Sequence, residues 1–293
     1  MTFRSQITRL LAIMIAVFAT VHPLAAQSID EHARSLLPED IRKAGTLTIA
    51  GTMTWPPYNW KTDNGEYAGI DIDLSKVLAA KLGLRPTYDD IKFATVIPSI
   101  QTARFDMAVG QLSITRPRLN VVSYVPTYKA GLVLLVTRGK ANLDINDLCG
   151  HELALTIGSS QTAVVDKLNR QCADEKKPAI RINEYADTPT SYLAVANGRA
   201  EAFVNDPAVS QYISSQNSRL DVSPSRIKDK SDISYGGFMI SKDRPELRAA
   251  LLAALVSAYN DGSYLAVLNK YKVPDTALSL PEINGDLVSI ADK

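Results

Sequence analysis

Blocks of apolar residues along this chain switch between two periods. Thr46–Gly51 (TLTIAG) alternates and reads as a strand. Asp71–Leu82 sets Ile72, Val77, Leu78 and Leu82 at helical spacing. Arg85–Asp89 has a weak strand pattern, Ala94–Thr102 a helical one, and Phe105–Gly110 is an apolar run suited to a buried strand. This βαβαβ order predicts a parallel sheet with covering helices. A short helix over Leu37–Gly45 precedes it. Thr52–Gly69, which holds Trp55-Pro56-Pro57-Tyr58 and Asp63-Asn64-Gly65, reads as a loop.

The pattern then recurs. Gly131–Thr137, Glu152–Thr156, Ala179–Glu184 and Ala202–Asn205 are predicted strands. Ser160–Gln171, Thr188–Asn197 and Asp206–Ser215 are predicted helices between and after them. No sequence repeat accompanies this second half, so the likeness is architectural. The remainder holds one strand, Tyr235–Ser241, and two amphipathic helices, Pro245–Ala258 and Ser263–Tyr271. It does not make a third domain and is best used to complete the first half.

A length of 293 residues agrees with two lobes rather than one core. The first 26 residues stand apart. Arg4 and Arg9 precede the apolar run Leu10–Phe18, and Leu24-Ala25-Ala26 supplies a small-residue cleavage site. The mature protein is expected to be exported, cleaved after Ala26 and free of a lipid anchor, since no cysteine follows that site. Losing the segment removes two arginines and no acid, taking the formal net charge from +1 to −1. No basic field argues for nucleic acid. Cys149 and Cys172, an isolated pair in an exported chain, are expected to form a disulfide. That leaves no cysteine nucleophile.

Candidate chemistry gathers in Gln111–Arg118 (QLSITRPR), at the C-terminal end of the third predicted strand, where open α/β sheets put ligands. Ser113 and Thr115 offer hydroxyls, and Thr115 suits the cap of a short helix carrying Pro117. The Arg118 guanidinium can grip a carboxylate through two parallel hydrogen bonds. On these residues alone, a capped turn with a solvated arginine is the more ordinary reading.

Gly69-Ile-Asp-Ile-Asp-Leu74, with Leu78-Ala79 and Leu82, resembles the signature of bacterial solute-binding proteins of the polar amino-acid family, receptors of ABC importers. Further segments are similar to that family in order: Trp55-Pro-Pro-Tyr58, Ile97-Pro-Ser-Ile100, Ser113-Ile-Thr-Arg-Pro-Arg118, Gly158-Ser-Ser-Gln161, Gly198-Arg-Ala-Glu-Ala202 with Asp206, and Pro245-Glu-Leu-Arg248. The resemblance implies a two-lobed type II periplasmic binding protein fold of class α/β. Each lobe is then a mostly parallel sheet with covering helices, joined by a two-strand hinge near Lys129–Val133 and Ser231–Gly237. Lobe 1 is expected over residues 27–130 and 235–293, and lobe 2 over 131–234.

By the same resemblance, Arg118 takes the carboxylate of an amino acid or derivative, and Ser113, Ser160 and Gln161 line its site. Asp206 takes the ammonium with help from the Gly110–Gln111 backbone. Trp55 and Phe93 flank the side chain. Gln111 departs from the small residue that many relatives carry there, and a longer amide would reach into the pocket. Expected partners are the small-molecule ligand and an inner-membrane ABC permease, with a monomer, no cofactor and no metal. Two alternatives are a periplasmic cyclohexadienyl or prephenate-type dehydratase on the same fold, and a ligand-sensing partner of a membrane sensor. A dehydratase needs a general acid in the cleft. His32 and His151 fall outside the predicted cleft residues, so no catalytic residue is assigned.

Overall fold

The structure is a computed structural model describing residues 28–225 and 234–287. The predicted export segment lies outside the described residues, as do residues 226–233, which include the first part of the second predicted crossing. Helices α1 (Glu31–Ser35) and α2 (Glu39–Ala44) lead into β1 (Thr46–Gly51). Three short strands, β2 (Thr54–Trp55), β3 (Asn59–Lys61) and β4 (Tyr67–Ala68), pair antiparallel where the sequence suggested only a loop. Then come α3 (Ile70–Lys81), β5 (Arg85–Asp90), α4 (Val96–Gln101), β6 (Met107–Ser113), α5 (Arg116–Leu119) and β7 (Val122–Ala130).

The chain passes to β8 (Val133–Thr137), β9 (Glu152–Thr156), α6 (Gln161–Asp174), β10 (Arg181–Tyr185), α7 (Thr188–Ala196), β11 (Ala202–Asn205), α8 (Pro207–Gln216) and β12 (Leu220–Val222). It ends with β13 (Ser234–Ser241), α9 (Pro245–Asn260), α10 (Ser263–Lys270) and α11 (Leu280–Ile283).

Two five-stranded sheets result, ordered β5-β1-β6-β13-β7 and β10-β9-β11-β8-β12. In each, βαβ units supply a parallel side: β1 pairs with β5 and β6, and β9 with β10 and β11. The remaining pairs are antiparallel. β13 inserts between β6 and β7, so the C-terminal segment joins the first sheet. Helix α9 packs on α1 and α3 and buries Leu247, Leu251 and Leu255 completely. Asp261, after α9, pairs with the buried Lys81 of α3.

The strand β7 and the extension of β6 through Ser113 were not anticipated. Thr115 is the residue before α5 but makes no side-chain cap bond, and Pro117 sits in the first turn. Among the described residues no single helix is long and apolar enough to cross a membrane.

Cys149 and Cys172 are joined, with Cα atoms 5.6 Å apart at a sequence separation of 23. The bridge ties the turn before β9 to the last part of α6. Closing a loop of this size limits the unfolded chain, so replacing both cysteines by serine is expected to cost about 3 kcal/mol. For a protein of this size that lowers Tm by roughly 6–12 °C. Scanning calorimetry with and without reductant checks this; an unchanged Tm would mean that the bridge constrains nothing.

Candidate functional site

A cavity of ≈ 520 Å³ opens between the two sheets. From the first sheet and its loops its walls include Thr52, Trp55, Asp90, Phe93, Gly110, Gln111, Ser113 and Arg118. From the second they include Thr156, Ser159, Ser160, Gln161, Asp187 and Thr188. Several of these residues sit at or just beyond the C-terminal ends of β5, β6 and β9.

Arg118 is buried, only 8% exposed, on the four-residue helix α5. Its Nη1 donates to the Ser113 carbonyl at 3.0 Å and its Nη2 to the Gly158 carbonyl at 3.1 Å. The Phe93 ring lies 5.9 Å from the guanidinium carbon. A guanidinium carries five N–H donors, so donors remain for a ligand oxygen. The Gly158 bond reaches across to the second sheet. So does the Ser160 hydroxyl, which donates to Ser113 Oγ at 2.9 Å. Ser160 precedes α6, whose first turn presents unpaired N–H groups and the positive end of its dipole to the same wall.

Gln111 sits at φ 51°, in the left-handed region that side chains rarely adopt. Asp71 holds it there. This carboxylate, on the first turn of α3, accepts from Gly110 N at 3.0 Å and Gln111 N at 3.1 Å. Burial pushes the Asp71 carboxyl up to about 7, although the two N–H bonds oppose the shift. The Gln111 side chain enters the cavity, where its Oε1 accepts from Trp55 Nε1 at 2.8 Å.

Asp206 caps α8, with Oδ1 accepting from Ala208 N at 2.8 Å and Val209 N at 3.1 Å. It is 3% exposed and is not among the residues of the cavity wall. Burial raises it to about 6, against hydrogen bonds from the Val209 backbone, the Gln111 amide and the Ala208 backbone. Of the residues singled out in the sequence, Trp55, Phe93, Gly110, Gln111, Ser113, Arg118, Ser160 and Gln161 meet in one cavity. Asp206 is not on that wall.

Asp71 was read only as part of a helical motif; its position in the first turn, facing a Gly-Gln pair, was the missed signal. Asp90 and Asp187 were also missed. His151 bonds Glu201 at 2.9 Å and His32 lies in α1, and neither lines the cavity. No group of three metal-binding side chains occurs among the described residues.

The Asp71 shift has a pH consequence. Its raised value means that the fold disfavours the carboxylate. The penalty is absent below the ordinary carboxylate range near roughly 4. It grows as pH rises and is complete above about 7. Asp71→Asn keeps a carbonyl oxygen able to accept both N–H bonds, without the charge. Its stability relative to the native protein should therefore improve steadily from pH 4 to pH 8 in urea melts. A difference independent of pH would contradict the assignment.

The sequence profile of the bacterial extracellular solute-binding proteins, family 3, matches residues 47–274. The lysine/arginine/ornithine-binding periplasmic protein of Escherichia coli (strain K12) is 29% identical over 241 residues, covering 80% of this chain and 88% of that protein. A crystal structure of a mutant of ArgBP from T. maritima aligns with a TM-score of 0.70 at 25% identity, over 82% of this chain and 99% of that one. The ancestral amino acid-binding protein AncCDT-1, a precursor of cyclohexadienyl dehydratase, aligns with a TM-score of 0.65 at 28% identity, over 81% and 98%. The matched family and the curated relatives are substrate-binding proteins, not enzymes. A profile spanning both sheets, together with a buried arginine in the cleft between them, places the chain: it belongs to the bacterial extracellular solute-binding proteins, family 3.

Proposed function

We propose that this protein captures an amino acid or a close derivative between its two lobes and hands it to an inner-membrane ABC permease. The observation that carries the reading is Arg118, a buried guanidinium on the cavity wall with donors to spare. A ligand carboxylate at that point gives the buried guanidinium a charged partner. Relatives named for lysine/arginine/ornithine, cystine and histidine support the amino-acid class.

Within this reading Ser113, Ser160 and Gln161 add donors for the carboxylate. Trp55 and Phe93 flank the ligand's side chain, and its amino end lies toward Gln111 and Asp206. We assign residues 27–130 and 235–293 to one lobe and 131–234 to the other, with the hinge between β7 and β8 and between β12 and β13. Export with cleavage after Ala26, a periplasmic location and action as a monomer complete the proposal.

A thermal-shift screen over amino acids, opines and betaines tests it. At 100 times Kd a ligand that binds only the folded state adds about 2.7 kcal/mol to its stability. At least one compound with a carboxylate should raise Tm by several degrees. A screen in which no carboxylate does so, or in which a bound compound is turned over to product, would overturn the reading.

A further inference from the structure

Outside the ligand cavity the two lobes assigned above meet a second time. The Trp60 ring, on β3, stands 6.1 Å from the Tyr212 ring, on α8, at an interplanar angle of 37°. Tyr271 meets the same indole edge-on at 6.3 Å. Tyr271 is itself fixed, because its hydroxyl donates to Asp73 Oδ2 at 2.9 Å and accepts from Gly69 N at 3.2 Å. Trp60 is therefore backed by lobe 1 and meets lobe 2 at Tyr212. Tyr212 also lines a second cavity, of ≈ 190 Å³, walled by Thr54 and Pro56 of lobe 1 and by Tyr192, Leu193 and Ile213 of lobe 2. Thr54 and Thr188 line this cavity and the ligand cavity alike, so the seam begins where the ligand site ends. Trp60 and Tyr212 are not on the ligand cavity's wall.

We infer that Trp60 and Tyr212 form an aromatic latch between the lobes, which sets the affinity for every ligand without touching any of them. The inference rests on the receptor reading above, in which the lobes part and close around the ligand. A contact made only in the shut form stabilises that form, and each ligand that needs closure gains by the same factor. An aromatic pair at this separation contributes about 3- to 10-fold to an equilibrium, beyond the area that it buries. The neighbouring cavity keeps the seam weak, because atoms that face a gap lose the dispersion contacts a packed interface would give them. A fully packed seam would hold the lobes shut with or without ligand; a partly packed one closes with ligand and reopens to release it.

The test uses calorimetry with the twenty standard L-amino acids and small-angle scattering without ligand, both on the mature protein. Trp60→Ala and Tyr212→Ala should each weaken every amino acid that binds by about 10-fold, with factors that agree within about 3-fold across the panel. Both remove one shared contact, so the double variant should fall well short of the product of about 100-fold. Trp60→Phe keeps a ring against Tyr212 and should recover most of the loss, which separates a latch from a folding defect. Leu193 is 40% exposed and lines the second cavity. Leu193→Trp fills the seam and should tighten binding by about 3-fold or more. Without ligand, the radius of gyration should be larger in Trp60→Ala than in the native protein, and smaller in Leu193→Trp.

Native affinity and a native radius of gyration in Trp60→Ala would overturn the inference. So would a loss confined to some amino acids, which would put Trp60 against the ligand, or a double variant at the full product of the two losses. A panel without binders would by itself strike only at the receptor reading. The scattering arm then decides the latch, and equal radii for Trp60→Ala and Leu193→Trp would overturn it.

Discussion

Arg118→Ala is expected to weaken capture of the cognate ligand by about 100-fold or more, because it strips a buried carboxylate of its charged partner. Arg118→Lys should recover only part of the loss. An ammonium keeps the charge but not the flat fork that meets two carboxylate oxygens together. The guanidinium also touches the Gly158 carbonyl of the second sheet, so its removal loosens the seam between lobes. Two measurements separate these effects. Calorimetry reports affinity, and small-angle scattering reports whether the unliganded lobes part. Loss of affinity in Arg118→Lys with unchanged scattering would isolate carboxylate recognition. Unchanged affinity in Arg118→Ala would remove Arg118 from the site and, with it, the main support for a carboxylate ligand.

Arg118 was singled out because a polar run after an apolar strand is a local feature, and the family resemblance gave it its role. What failed to show locally depended on distant partners. β6 runs on through Ser113 because Gly236 and Gly237 of β13 pair with Ser113 and Leu112, more than a hundred residues away in the chain. β7 was hidden by Pro126, which normally argues against a strand interior. In the structure Pro126 lies opposite Gly237, where the β7–β13 register shifts, and the irregularity accommodates it. β2, β3 and β4 are two or three residues long and sit among turn residues, so no alternation could reveal them.

The site shows the same divide. The polar run at a strand end pointed to Ser113 and Arg118, the family resemblance gave their roles and added Ser160, and all three line the cavity. Asp71 escaped because a polar residue in an amphipathic helix is ordinarily given to solvent, whereas α3 is buried on most of its surface. The placing of Gln111 on the cavity wall goes with one left-handed backbone torsion, which no pattern of residue types encodes.

That torsion is held from Asp71, and Asp71 is placed by Gly69, so Gly69→Ala should be among the most damaging single substitutions in the chain. Gly69 has φ 127° and ψ 173°, a combination that is essentially glycine's alone. A Cβ there would stand 2.1 Å from the Tyr58 carbonyl oxygen and 2.8 Å from Asn59 N, both backbone atoms that cannot rotate away. This close approach lets Ile70 N bond Pro57 O at 2.9 Å and Asp71 N bond Tyr58 O at 2.8 Å, which seats the start of α3. Prying the segments apart is expected to cost more than about 3 kcal/mol, torsion strain and steric overlap combined. It should also reduce ligand affinity, although Gly69 is not on the cavity wall, because Asp71 would withdraw from Gly110 and Gln111. Gly198→Ala is the matched control. Its φ is 71°, and nothing lies within 4 Å of the added carbon. It should therefore show the torsion term alone, about 1 kcal/mol, and leave affinity unchanged. Urea melts and calorimetry on the two variants decide the matter. If Gly69→Ala is no less stable than Gly198→Ala, backbone contact at Tyr58 is not what seats α3, and the chain of support from Gly69 through Asp71 to Gln111 is broken.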